Sequence, residues 1–198
     1  MSTDGVNVNR RRLLVGATAA VGAVGVAGVA VPFVKSWNPS AKAKAAGAPV
    51  VADISQLEPG QRAVFEWRGK PVWVVRRTPQ MLEGLVAVES SLADPESAAS
   101  IQPEYARNRE RSIKPEFAIL TGICTHLGCS PNFRPEVGAA DLGGADWLGG
   151  FFCPCHGSKF DLAGRVFAGV PAPTNLDVPP HTYETDSVLV IGLDAENA

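Results

Sequence analysis

Residues 124–129 read CTHLGC, and residues 153–158 read CPCHGS. These two stretches hold all four cysteines of the chain and two of its three histidines, namely Cys124, Cys129, Cys153, Cys155, His126 and His156. An even number of cysteines confined to one region indicates metal ligands, a disulfide or both. Each stretch follows an apolar run, at residues 117–123 and 147–152. We therefore expect both stretches to be loops at strand ends, where ligands are often found.

Other short apolar or alternating segments recur between turn residues. Residues 63–67 and 72–75 predict one hairpin, and residues 181–185 and 188–193 predict another. The pattern indicates a mainly β fold for residues 50–198, built as a small antiparallel β domain.

Residues 78–113 differ from this pattern. They are rich in Ser, Ala, Glu and Arg, and pieces at residues 79–85 and 103–111 are typical of helices. We interpret residues 78–113 as a helix-loop insertion on the β domain.

The N-terminal segment resembles an export signal followed by a membrane anchor. Residues 9–14 read NRRRLL, which is similar to the twin-arginine signal that sends folded proteins across the bacterial membrane. Residues 13–34 carry no charge and would span about 33 Å as a helix, against a hydrocarbon core of about 30 Å. Two other interpretations stay open: an ordinary basic signal region, and a signal peptide cleaved near residues 41–45.

These features divide the chain into four parts. We expect a cytoplasmic N-terminus at residues 1–12, a transmembrane anchor at 13–34, a flexible or weakly helical linker at 35–49, and a periplasmic domain at 50–198. The three arginines at 10–12 favour a cytoplasmic N-terminus, and the export signal places the domain in the periplasm. Small residues four apart in the anchor, such as Gly16 and Ala20, allow another helix to approach closely, so membrane subunits are expected partners.

The charge of the chain is unevenly distributed. Residues 50–198 hold 12 of the 18 basic residues and 19 of the 20 acidic ones, a net charge of −7. The sequence has no basic patch, which argues against nucleic-acid binding. An acidic surface either confers solubility or steers a basic electron-transfer partner.

The two cysteine loops resemble those of the Rieske iron–sulfur subunit of ubiquinol–cytochrome c reductase, the cytochrome bc complex. The resemblance extends over the export signal, the anchor and the linker, and covers the insertion only loosely. It implies one [2Fe–2S] cluster, with Cys124 and Cys153 on one iron and His126 and His156 on the other.

The resemblance also implies a disulfide between Cys129 and Cys155 that joins the two loops. Further residues are expected around the cluster: Leu127, Gly157, Ser158, Phe160 and Pro171. Ser158 would donate a hydrogen bond to a cluster sulfur, and a proline-rich loop at residues 169–173 would cover the cluster. Leu127 would either shield the cluster or pack in the core.

Phe160 occupies the position where high-potential relatives carry tyrosine. One hydrogen bond to a ligand sulfur should then be missing, so the reduction potential should be lower than in those relatives. We expect His181 to be an ordinary surface histidine and Lys159 a solvated charge.

By this resemblance the chain would be an electron-transfer subunit of an enzyme complex in the bacterial inner membrane. It would accept one electron from ubiquinol, with the proton taken by His126 or His156, and pass the electron to a c-type cytochrome. Expected partners are ubiquinol, a cytochrome b subunit and a c-type cytochrome subunit, in a dimeric complex that contributes to proton translocation. Alternatives are the Rieske subunit of another complex, such as arsenite oxidase or the plastoquinol complex, a Cys₂His₂ zinc module, and a site whose four cysteines all form disulfides.

Overall fold

The computed structural model of the protein describes residue 5 and residues 7–194. The chain divides into two units, Met1–Ala45 and Ala46–Ala198. Two helices precede the β domain: α1 spans Val8–Ser36 and α2 spans Ala41–Ala46. α2 lies within the predicted linker, which therefore contains a short helical turn.

α1 begins at an asparagine cap. The Asn7 side chain accepts a hydrogen bond from the Arg10 backbone N–H at 3.1 Å, so the helix starts before residue 13 and includes the arginines. An 18-residue window of this helix has a mean hydropathy of 2.1, and its length and composition would allow it to cross a membrane. These properties fit the predicted anchor, although N-terminal signal sequences share them.

The strands of the described domain pair only antiparallel. They are β1 Val50–Asp53, β2 Arg62–Trp67, β3 Lys70–Arg76, β4 Phe117–Thr121, β5 Asn132–Arg134, β6 Gly150–Phe152, β7 Lys159–Phe160, β8 His181–Tyr183 and β9 Val188–Ile191. They form three-stranded sheets in the orders β1–β9–β8, β2–β3–β4 and β5–β6–β7. The remaining elements are α3 Pro79–Ala87 and 3₁₀ turns at Glu89–Ser91, Glu104–Ala106, Ala140–Leu142 and Gly144–Asp146. The predicted mainly β fold is confirmed.

Both predicted hairpins are present. Arg68 and Gly69 connect β2 to β3 with φ values of 53° and 71°, the left-handed conformation that a tight type I′ turn requires. β3 begins at Lys70, so this turn is shorter than predicted. β8 and β9 form the second hairpin, and each ends two residues earlier than expected.

The insertion is less helical than predicted. α3 is capped by the Thr78 hydroxyl, which accepts a hydrogen bond from the Met81 N–H at 3.3 Å. The helix predicted at residues 103–111 is wrong, because only one 3₁₀ turn forms there and Arg111 adopts a left-handed φ of 50°. The strand predicted at 147–152 is also shorter, since β6 follows Gly149 at a φ of 95°.

A hydrophobic cluster lies beneath both cysteine loops. The Trp73 ring stacks on Phe151 with centroids 4.9 Å apart, and a Cβ at Gly122 would overlap the same indole. Gly122 precedes Cys124 by two residues, and Phe151 precedes Cys153 by two. One buried indole therefore supports the entrance to each loop.

Candidate metal centre

The two cysteine loops share one backbone design. In the first loop, the Cys124 N–H donates to the carbonyl five residues later at 2.7 Å. In the second loop, the Cys153 N–H makes the equivalent hydrogen bond at 2.8 Å. A glycine follows each of these cysteines by four residues and donates its N–H back to the cysteine carbonyl. The distance is 3.0 Å for Gly128 and 2.9 Å for Gly157. Both glycines need a left-handed φ, 83° and 79°, which other residues rarely adopt. A glycine four residues after each of these cysteines is the sequence signal for the turn.

A disulfide joins the two loops. Cys129 and Cys155 are bonded, with Cα atoms 6.7 Å apart, and their sulfurs lie within 4.8 Å of the Cys153 sulfur. Cys124 and Cys153 keep free thiols and are both buried. The predicted disulfide is confirmed, and each loop is left with one thiol and one imidazole.

The two imidazoles meet across the loops. The ring centroids of His126 and His156 are 4.7 Å apart, at an interplanar angle of 86°. His156 is exposed, whereas His126 is partly buried. Within the described residues, the buried Nδ1 atom of His126 has no hydrogen-bond partner. Leaving such an atom unsatisfied is unfavourable, and a bound metal would satisfy it.

The buried thiols also fit a metal centre. Burial raises the pKa of the Cys124 thiol, and the neighbouring Cys153 thiol raises it further. Hydrogen bonding by the His126 backbone N–H and by the Ser158 side chain acts in the opposite direction and lowers this pKa. A coordinated metal deprotonates its thiol ligands, so this hydrogen bonding would then stabilise a thiolate.

The proline-rich loop, residues 169–173, contacts both cysteine loops through hydrogen bonds. The Ala172 N–H donates to the Ser158 hydroxyl at 3.0 Å, and the Thr125 hydroxyl donates to the adjoining Thr174 carbonyl at 2.7 Å. Ser158 is fully buried. Neither Thr125 nor Ala172 was among the predicted site residues, although Thr125 lies between the first cysteine and the first histidine.

The other predicted site residues surround the loops. Phe160 is fully buried, in the same cluster as the free cysteines. Leu127 is 71% exposed, which excludes core packing and leaves its side chain open to a partner. Pro171 is exposed in the proline-rich loop.

Two expectations about polar residues are wrong. His181 is fully buried rather than at the surface: its ring Nδ1 lies 2.9 Å from the Pro179 carbonyl, and burial lowers its pKa. The Lys159 ammonium donates to the Leu142 carbonyl at 2.6 Å rather than being only solvated. Both errors arise because the packing of distant segments, not the local pattern, decides the burial of these side chains.

Comparison with known proteins places the chain in a family. Residues 47–180 match the profile of the Rieske [2Fe-2S] domain, and residues 1–40 match the Ubiquitinol-cytochrome C reductase Fe-S subunit TAT signal. The ubiquinol-cytochrome c reductase iron-sulfur subunit of Allochromatium vinosum is 60% identical over 198 residues, covering 100% of this chain and 95% of that protein. The chain belongs to the Rieske iron–sulfur subunit family of ubiquinol–cytochrome c reductase.

A second curated relative and a chain of one solved structure are also similar to this chain. The subunit of the same name from Blastochloris viridis is 44% identical over 192 residues, covering 96% of this chain and 97% of that protein. A chain of the solved structure "Hyperthermophilic respiratory Complex III" is 28% identical, with a TM-score of 0.48, covering 87% of this chain and 96% of that one.

Membership of this Rieske family confirms the main functional predictions. The cofactor is one Rieske [2Fe–2S] cluster, and the chain is a subunit of the ubiquinol–cytochrome c reductase complex. The zinc module is therefore wrong, and so is the all-disulfide site, because two cysteines keep free thiols. The match to the export signal, together with α1, fits a single-pass membrane anchor.

Proposed function

We propose that this subunit takes one electron and one proton from ubiquinol and passes the electron to a c-type cytochrome. In this proposal Cys124 and Cys153 bind one iron, and His126 and His156 bind the other. The observation that carries the assignment is the Cys129–Cys155 disulfide, which leaves one thiol and one imidazole in each loop. The names of the relatives, which are subunits of ubiquinol–cytochrome c reductase, support ubiquinol and cytochrome c as the redox partners.

The ligand set suits quinol oxidation. A bound Rieske cluster supplies a one-electron acceptor whose neutral imidazole ligands raise its reduction potential above that of all-cysteine clusters. The buried Nδ1 of His126, which has no hydrogen-bond partner in the part of the chain that the structure describes, is the atom that suits iron, so Nε2 of this ring remains for the solvent side.

The proton is taken at the surface of the site. His156 is the exposed imidazole, so it is placed to accept a hydrogen bond from a quinol hydroxyl and to remove its proton. The exposed Leu127 offers apolar surface next to His126 for a quinone ring or a partner subunit. The buried Ser158 hydroxyl accepts the Ala172 N–H, so the proline-rich loop covers this side of the second cysteine loop.

The remaining parts of the chain serve placement. α1 anchors the subunit with its arginines in the cytoplasm, and the domain lies in the periplasm, where a disulfide persists. The small residues of α1 pack against a cytochrome b subunit in a dimeric complex. The linker at residues 35–49 lets the domain travel between that subunit and a c-type cytochrome subunit.

Replacing one proposed ligand tests the assignment. We expect Cys153→Ala and His156→Ala to lose iron, acid-labile sulfide and the visible absorbance of the purified full-length protein. Pro154→Ala is the matched control, because Pro154 is exposed in the same loop and makes no proposed bond to iron. Retention of two irons and two sulfides by Cys153→Ala would overturn the ligand assignment.

A further inference from the structure

The insertion holds the proline-rich loop at both ends. Before the loop, the Ala168 N–H donates to the Ser91 carbonyl at 2.9 Å. After the loop, the Val178 N–H donates to the Ile101 carbonyl at 3.1 Å. Ser91 and Ile101 both belong to the insertion, so its packing fixes where the loop starts and where it ends.

Asn175 strengthens this attachment from the exit of the loop. It is fully buried, its Oδ1 accepts the Val166 N–H at 2.8 Å, and its Nδ2 donates to the Asp94 carbonyl at 2.9 Å and the Ser97 hydroxyl at 2.8 Å. Ser97 has a left-handed φ of 55°. Such a conformation is unfavourable for a residue other than glycine and persists only where the surrounding structure holds it.

Arg111 is a second buried residue of the insertion with a left-handed backbone. Its guanidinium is fully buried, with Nε donating to Gln102 Oε1 at 2.8 Å and Nη1 donating to the Ala163 carbonyl at 3.2 Å. Its Nη2 has no hydrogen-bond partner within the described residues. Burial lowers the pKa of Arg111 to about 10, so the side chain stays cationic at neutral pH. A strained backbone and an incompletely satisfied buried cation both cost free energy. The contacts that the Arg111 side chain makes must offset this cost.

The turn that Arg111 holds is a junction between segments of the site. The Leu176 N–H, just beyond the loop, donates to the Gly164 carbonyl at 2.8 Å. Gly164 packs so tightly that a Cβ there would lie 3.0 Å from Leu120 of β4, the strand that leads to the first cysteine loop. Arg111 therefore braces the point where β4 meets the exit of the proline-rich loop.

We propose that Arg111 is a positioning residue that holds the proline-rich loop so that Ala172 fixes the buried Ser158 hydroxyl in the second cysteine loop. The Ala172 N–H occupies an acceptor position of the Ser158 oxygen, so the hydroxyl proton is left to donate within that loop. The Ser158 carbonyl accepts the Cys153 N–H at 2.8 Å, so this residue lies beside a proposed iron ligand. A hydroxyl that donates to a sulfur of the proposed cluster stabilises negative charge there, so a loosened loop lowers the reduction potential. The inference rests on the proposed ligation by Cys153.

Hydrogen exchange and redox titration of the purified full-length holoprotein test this role. We expect Arg111→Gln to speed amide exchange in residues 166–176 by about tenfold and to lower the midpoint potential. Arg109→Gln is the matched control, because Arg109 lies on the same insertion but is exposed and pairs with Glu89 at 3.1 Å. Arg109→Gln should change neither quantity.

A double variant separates positioning from a simple loss of charge. If Arg111 acts through the Ser158 hydroxyl, Arg111→Gln should shift the potential much less in a Ser158→Ala background than alone. If Arg111→Gln fails to fold, Arg111→Lys should accelerate exchange in the same peptide, because a lysine ammonium keeps the charge but cannot reproduce the separate hydrogen bonds of Nε to Gln102 and of Nη1 to Ala163. Unchanged exchange at residues 166–176, or fully additive potential shifts, would overturn the inference. Failure of the proposed function would instead appear in the parent protein, as absence of the [2Fe–2S] cluster.

Discussion

Gly122 is the position where a single added methyl group tests how the fold supports the metal centre. A Cβ at Gly122 would overlap the Cε2, Nε1 and Cζ2 atoms of the Trp73 indole. The indole is 2% exposed, stacks on Phe151 and lies under the Arg62 guanidinium at 4.8 Å from its ring centroid. It cannot move away without displacing these neighbours, so we expect Gly122→Ala to destabilise the domain by about 1–3 kcal/mol. For a domain of this size, that loss corresponds to roughly 2–12 °C in Tm.

Calorimetry and iron analysis of the full-length protein measure this effect. We expect Gly122→Ala to lower both the apparent Tm and the iron content, because a displaced Trp73 shifts the entrance to both cysteine loops. Gly84→Ala is the matched control: its Cβ would meet Leu148 at 3.5 Å, an ordinary contact, in the helix α3, where alanine is favoured by about 1 kcal/mol. An unchanged Tm for Gly122→Ala, or an equal loss in Gly84→Ala, would refute the reasoning.

Further predictions concern the potential, the disulfide, pH and the linker. Phe160→Tyr adds a hydroxyl within the buried cluster, so redox titration should show a rise of about 40 mV, and no rise would defeat the expected role of this position. Replacing both disulfide cysteines by alanine should speed loss of the visible absorbance, because the two loops are then no longer joined; an unchanged rate would contradict this. Burial lowers the folded-state pKa of His181, so the unfolded chain binds the proton more readily; stability should be fully present above about pH 6.5 and fall as the pH drops toward the folded pKa. His181→Gln should flatten that decline in Tm, and an unaltered pH profile would exclude this histidine as the cause. Prolines at residues 42–46 should block turnover and leave the EPR spectrum intact, whereas full turnover would contradict domain movement.

Local patterns were sufficient for the parts of the fold in which a few neighbouring residues decide the structure. The alternation around Arg68 and Gly69 predicted a hairpin, because a tight turn needs left-handed residues between two pairing strands. The cysteines and histidines of both stretches predicted loops that hold ligands, because ligands often lie in loops that follow strands. The disulfide followed only from resemblance to the family.

Features that depend on distant contacts were not predictable from local patterns. Arg111 lies in a stretch with helical composition, yet its guanidinium reaches the Ala163 carbonyl, 52 positions away in the chain, and its backbone is left-handed. His181 lies outside both cysteine loops, which favoured a surface position, but Tyr105 of the insertion donates a hydrogen bond to its carbonyl at 2.9 Å and packs edge-on to its ring at 5.4 Å. Both contacts involve the insertion, whose composition predicts only short helical pieces.

Pulsed EPR on the reduced full-length protein, labelled with ¹⁵N only in histidine, tests the central claim most directly. If imidazoles from two different loops bind one iron of the cluster, the electron spin should couple to two histidine nitrogens. The coupling of one of them should disappear, or the cluster should be lost, in each of the His126 and His156 variants. A spectrum without histidine nitrogen coupling, as an all-cysteine cluster gives, would contradict the account.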